Sequence, residues 1–288
     1  MNKLLIYIKD PENIKKFNNS NIEGFIIAEK MFSASAYECD IEKAVRIIHD
    51  GGYKAYVKAD CLYQQFQLPE LEEYLLKLDN ISVDGIIYTD IGVFTLMKKL
   101  NVSYKGIYAP ETLLTNWYDI NEIRNDGIDN CVISKDITFD DVCYIANKCP
   151  GYCYIRIHGP VLLAYSRRKY ISAYLHKESE YLEGYYLQEE TRDTRLPIIE
   201  KEYGSWLYGK ILQSIRTIRE LCRKEFAGFI IDNVIYEDDY TVKTAGIYSA
   251  LMDNRIGEDE AIKLLIDALP DAEYTGMEEI RETWLDKE

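Results

Sequence analysis

The chain has 288 residues, of which 47% are hydrophobic, enough to bury a full core and too many for a disordered chain. Its net charge of −15 repels nucleic acid and anionic membrane over most of the surface, and no run of about 18 apolar residues offers a membrane span. Seven cysteines, an odd number, fit a reducing compartment better than a disulfide framework, so a cytoplasmic protein is expected.

From the amino terminus, short apolar β-rich runs alternate with helical patterns. The predicted strands are Leu4–Ile8, Gly24–Ala28, Ala55–Lys58, Gly85–Tyr88, Lys105–Tyr108, Asn130–Ser134, Cys153–Ile157 and Gly228–Ile231. Several are apolar on successive residues, as in Phe25-Ile26-Ile27, which is what a strand covered on both faces requires. Between them, Asp40 is placed to cap a helix whose inner face carries Ile41, Ala44, Val45 and Ile48, stopped by Gly51-Gly52. Pro69 opens another helix and Thr138 caps a third. Eight strands with helices between them define an α/β class protein, a (βα)8 TIM-like barrel.

The regularity breaks between strands seven and eight, where about seventy residues intervene, far beyond an ordinary βα connection. Within this expanded connection, Pro160–His176 reads as a helix, Tyr185–Gln188 and Arg195–Glu200 as strand-like, and Ile211–Arg223 as a further helix. The expected organisation is a barrel over residues 1–252, including an excursion at 160–225 that carries a β-hairpin, then a helical tail at 253–288. That tail holds twelve acids against four bases. By contrast, Tyr154 to Tyr170 carries Arg156, Arg167, Arg168 and Lys169 and no acid, a local patch suited to a small anionic ligand.

Barrel enzymes place reacting groups at the carboxyl ends of strands. Those ends carry Lys9, Asp10, Glu29, Lys58, Asp60, Asp90, Glu111, Lys135, Asp136, His158, Asp232 and Asn233. Such a ring suits acid–base work or binding of a polar anion. The plain alternative is that strand ends enter solvent and the aspartates cap the next helix. His158 ends a central strand, and Gly159 behind it allows close backbone approach. If Pro160 starts a helix, Tyr165 and Arg168 share a face, and the guanidinium can grip a carboxylate or phosphate. The candidates are therefore His158 and Tyr165 for catalysis, with Arg168, Ser166, Lys135, Asp90 and Glu29 for substrate binding. Cys143, Cys149 and Cys153 read as small buried thiols and no metal site is assigned. No His-Glu-x-x-His, Gly-x-Ser-x-Gly or Walker motif occurs.

The stretch from Ile157-His158-Gly159 to Tyr165-Ser166-Arg167-Arg168 resembles the signature of the collagenase-like peptidase family U32. Val83–Val93, Thr115-Asn116, Ser134–Thr138 and Tyr170–Leu175 resemble further segments of that family, in the same order. The resemblance implies a cytosolic barrel protein. Members of the family are named as peptidases, while several act in hydroxylation of a tRNA wobble uridine or in the anaerobic ubiquinone pathway, with an iron–sulfur cluster on four cysteines. Here Leu162 and Lys169 stand at the first pair of cysteine positions, and Ser179–Gly184 spans the second. Ile231–Val234 replaces the family's motif after the last strand. Four thiolates are the usual requirement for such a cluster, so no cofactor is expected.

The implied function is that of a partner subunit in tRNA wobble-uridine 5-hydroxylation, bound to a cluster-bearing family paralogue and reaching tRNA through that complex. The alternatives are a peptidase or collagenase-like hydrolase, and a non-catalytic binding protein on a degenerate barrel. The excursion's Tyr185, Tyr186, Trp206 and Tyr208 are aromatic types enriched at interfaces; equally, they can form the excursion's own core.

Overall fold

The computed structural model describes residues 3–18, 21–33, 39–177, 182–188, 190, 195–201 and 204–281. Every apolar run becomes a strand: β1 (Leu4–Tyr7), β2 (Ile22–Ala28), β3 (Lys54–Ala59), β4 (Gly85–Tyr88), β5 (Lys105–Tyr108), β6 (Asn130–Val132) and β7 (Cys153–Ser166). Three more strands follow, β8 (Leu182–Gln188), β9 (Arg195–Lys201) and β10 (Gly204–Gln213), and then β11 (Gly228–Ile231). Strands β1 to β7 are neighbours in sequence order, all parallel, and β11 pairs in parallel with both β7 and β1. The ring is thereby closed as an eight-stranded parallel barrel. Closure leaves no open edge in the ring.

The helices cover the outside. A 3-10 segment (Pro11–Lys16) occupies the first connection, followed by α1 (Ile41–Asp50), α2 (Leu68–Asn80), α3 (Ile91–Leu100), α4 (Trp117–Asn125) and α5 (Phe139–Lys148) in the next five. Asp40 accepts from Lys43 N and Thr138 from Asp141 N, so both predicted caps form. In α1 the buried residues are Ile41, Ala44, Val45 and Ile48. Two apolar layers result. One fills the space between strands and helices, and the other fills the barrel lumen with Leu5, Tyr7, Ile26, Tyr56, Ile87, Ile107, Tyr154 and Ile230.

The excursion departs from the sequence reading in three ways. Residues from Pro160 onward do not form a helix. Strand β7 runs on to Ser166 because antiparallel β10 offers it backbone partners from Gln213 opposite His158 to Ser205 opposite Ser166, and such pairing outweighs local preference. Helix appears only at α6 (Tyr170–Leu175). Residues 211–213 likewise belong to β10, leaving one short helix, α7 (Ile218–Leu221), where a longer one is expected. The hairpin is in fact a three-stranded antiparallel sheet, β8-β9-β10, continuing from β7. After α8 (Asp238–Met252) the tail holds α9 (Glu258–Ala268), then β12 (Tyr274–Gly276), which pairs in parallel with β10. The tail is thus partly strand and joins the excursion's sheet.

Candidate functional site

A buried ionic cluster lies at the carboxyl ends of the barrel strands, where this architecture places its chemistry. Lys58, in β3, donates to both oxygens of Asp232 just beyond β11, at 3.1 and 2.9 Å, and lies 3.5 Å from Asp60. Arg156, in β7, meets Glu111 through two parallel contacts of 3.2 and 2.9 Å and reaches Asp232 at 3.3 Å. Lys135 approaches Glu111 at 3.8 Å. Glu111 holds φ at 61°, uncommon for a residue with a side chain, and so brings its carboxylate to the Arg156 fork.

Burial alone would raise the Glu111 carboxyl, but Arg156, with Lys135 and Lys58 behind it, overcomes that and holds it at about 2. For Lys58 and Arg156 burial favours the neutral form, and their carboxylate partners reverse this, raising both. Glu111, Lys58 and Arg156 are therefore each held in the charged form. Each cation of the cluster faces at least one carboxylate, so the cluster does not by itself draw an anion inward. One donor, Arg156 Nε, is buried without a hydrogen-bond partner.

Above the cluster opens a cavity of about 210 Å³. Its floor is Lys58, Asp60, Glu111, Arg156 and Asp232; its walls include Leu62, Leu162, Tyr165, Trp206, Tyr208 and Val234. Tyr165 stacks on Trp206, with ring centres 4.9 Å apart and planes at 24°. A few convergent polar groups beneath apolar and aromatic walls are the usual make-up of a small-molecule or base site.

The sequence-predicted candidates fare differently. Tyr165 lines the cavity. Ser166 is next to it, with Oγ donating to the Tyr170 hydroxyl at 3.2 Å. Lys135 reaches the cluster from below, through Glu111. Arg168 is exposed and does not line the cavity, because β7 is extended there and no shared helix face with Tyr165 exists. Asp90 caps α3, accepting from Gly92 N and from Tyr63 N. Glu29 pairs with Lys77 of α2 at 3.1 Å. Neither Asp90 nor Glu29 lines the cavity.

His158 is fully buried on the other side of the barrel wall. Its Nε2 lies 2.9 Å from the Tyr240 hydroxyl and its Nδ1 3.4 Å from that of Tyr248, both in α8. Burial holds the imidazole down to about 3, so it is neutral. The cause of this placement is a bulge. Ile230 pairs with Arg156 but Ile231 with His158, so one residue of β7 is unmatched. An unmatched residue reverses the in–out alternation. Tyr154 faces the lumen and Arg156 the cavity, whereas His158 faces α8.

Sequence reasoning passed over Arg156 except as part of a charge tally, and left Trp206 and Tyr208 open between an interface and the excursion's own core. Both aromatics are buried in the lumen wall. The period-two run Tyr154, Arg156 was the available signal for Arg156. Of the conceivable nucleophiles nearby, Cys61 is buried and its thiol is pushed well up by desolvation, which keeps it protonated. Leu162 lines the cavity and, like Lys169, offers no thiolate. Residues 179–181 of the second presumed cysteine region lie outside the described residues. Among the described residues no group of three or more His, Cys, Asp or Glu side chains is arranged to hold a metal ion.

A closed parallel barrel with a charged, aromatic-walled cavity at its carboxyl end, extended by a sheet after strand seven, defines the class of protein. The sequence model of peptidase family U32 matches residues 9–286, and the chain belongs to that family. It is 26% identical over 223 residues to tRNA hydroxylation protein P2 of Bacillus subtilis (strain 168), covering 74% of this chain and 72% of that protein. It is 23% identical over 156 residues to tRNA hydroxylation protein P1 of the same organism, covering 54% of this chain and 34% of the relative. Among solved structures, the U32 peptidase Mk0906 overlays with a TM-score of 0.47 at 12% identity, covering 56% of this chain and 70% of that one. No helix among the described residues is long and apolar enough to cross a membrane.

Proposed function

We propose that this protein serves in hydroxylation of a tRNA wobble uridine, as a subunit that works with a cluster-bearing relative of the same family. The observation that carries the reading is the match to tRNA hydroxylation protein P2 over most of both chains. The cavity supports it. Enzymes that act on a base take it out of the stack and hold it by edge hydrogen bonds and aromatic contacts. A uracil ring entering beside Tyr165 and Trp206 meets Lys58, Arg156 and the carboxylates of Asp60 and Asp232 on the floor. With Cys61 protonated and His158 walled off, no activated nucleophile of the thiol–imidazole kind stands at the cavity among the described residues, which weighs against a peptidase.

In this reading the chain supplies the fit and the charge environment, and the relative supplies the redox group. Purification of the tagged chain from its own cells, followed by mass spectrometry, should recover a U32 relative that carries the four cysteines. Recovery of the chain alone under mild conditions contradicts the partnership. Deletion of the gene should lower hydroxylated wobble uridine in total tRNA. Undiminished modification after the family relatives are deleted as well contradicts the reaction.

A further inference from the structure

The rim of the cavity carries a feature that the buried cluster does not explain. Between Ile157 and Lys177 there is no acidic residue, while Arg167, Arg168, Lys169 and Lys177 bring four positive charges to a chain of net −15. Arg167, Arg168 and Lys177 are exposed, and Lys169 is half-buried. Interleaved with them are two tyrosines of α6, Tyr170 and Tyr174, which are 48% and 84% exposed. Four residues apart, they lie on one helix face. The rim is joined to the cavity directly. Arg167 donates to the carbonyl of Leu62, which lines the cavity, and Tyr170 receives the Ser166 hydroxyl next to Tyr165.

The helix presenting these tyrosines is only six residues long, yet it is anchored through a fully buried carboxylate. Glu200 of β9 accepts from Ile171 N at 2.7 Å and from Ser172 N at 3.2 Å, and it also takes the hydroxyls of Ser172 and Ser205. Isolated helices of this length do not hold in water. The anchor fixes its inner side and leaves the tyrosine face outward.

We propose that this rim is an RNA-binding surface for the loop whose base enters the cavity. The exposed cations meet backbone phosphates, and Tyr170 and Tyr174 stack the unpaired neighbouring bases. Basic residues interleaved with exposed aromatics are what single-stranded and looped RNA requires. The proposal rests on the tRNA reading for its choice of RNA, but it can fail separately.

The test is binding of a fluorescein-labelled anticodon stem-loop RNA, with uridine at the first anticodon position, to the full chain over a range of salt. The double variant Arg168→Glu with Lys177→Glu should weaken binding roughly tenfold or more at low salt. If two phosphate contacts are lost, it should also flatten the slope of log affinity against log salt by about 1.4. Tyr174→Ala should weaken binding several-fold, with stability unchanged because the ring is exposed. Lys99→Glu, in the last turn of α3 and so at the opposite end of the barrel, should change little. Equal binding by wild type and the Arg168 and Lys177 variant overturns the surface and leaves the hydroxylation reading standing. Absence of binding by the wild-type chain, alone and with its co-purified partner, also overturns it. Retained RNA binding through this rim, with wobble-uridine modification unaffected by gene deletion, keeps the surface and removes the reaction.

Discussion

At the scale of single residues, the distinction that matters is between Arg156 and His158, two positions apart on one strand. Arg156 joins Glu111 to Asp232 across the cavity floor. Removing one member of a buried ion cluster leaves its partners charged and unpaired, which typically costs 3–5 kcal/mol. Arg156→Met should therefore destabilise the fold by about 3 kcal/mol, measured by urea denaturation; a change under about 1 kcal/mol would show the cluster to be solvated. His158 gives a pH signature. Its folded pKa, about 3, lies below the ordinary value near 6.5, so only the unfolded chain takes up a proton in between. Its contribution is complete above pH 6.5 and is lost as pH falls toward 3, at up to about 1.4 kcal/mol per pH unit. In His158→Phe the stability slope between pH 6.5 and 5 should be shallower than in wild type. An unchanged slope would mean that the histidine is not held neutral. Arg156 was legible as lumen-facing from strand periodicity, but the burial of His158 was not, because a one-residue bulge has no sequence mark beyond the glycine that follows.

At the scale of elements, strand β7 does the most to shape the site. Among the described residues it alone of the barrel strands continues past the ring, and the extension carries Tyr165 to the cavity wall. Its turn outward passes through Gly159 at φ 143°, where an added Cβ would lie 2.4 Å from the carbonyl oxygen of Asp232. The same contact region holds Asp232 N against the His158 carbonyl at 2.9 Å. Gly159→Ala should cost about 2 kcal/mol or more and displace Asp232 from Lys58. Thermal unfolding of the variant at wild-type temperature would show that the backbone accommodates the methyl group. The eight barrel strands were readable because buried parallel strands are apolar on successive residues. The excursion was misread because 158–166 and 205–213 owe their extended form to each other across the sheet. Such pairing between segments some fifty residues apart leaves no local periodicity to find.

At the scale of the whole molecule, the barrel, the sheet that grows from β7 and the tail form one continuous arrangement. Strand β12 adds to β10, and the Tyr240 hydroxyl, which meets His158, also lies 3.3 Å from that of Tyr274 in β12. His158 thus links the barrel wall to the carboxyl-terminal segment, away from the cavity. Family membership was legible from the order of short motifs along the chain, most of which lie on or just after barrel strands. The ion-paired floor was not, because its pairing depends on which strand ends meet across the lumen. Whether this chain takes part in tRNA hydroxylation is decided by nucleoside mass spectrometry of tRNA from a strain lacking this gene and its family relatives. Returning this chain together with a cluster-bearing relative should restore hydroxylated wobble uridine, and returning the relative with a chain carrying Asp60→Asn should restore distinctly less. Equal restoration by the relative alone would contradict the account.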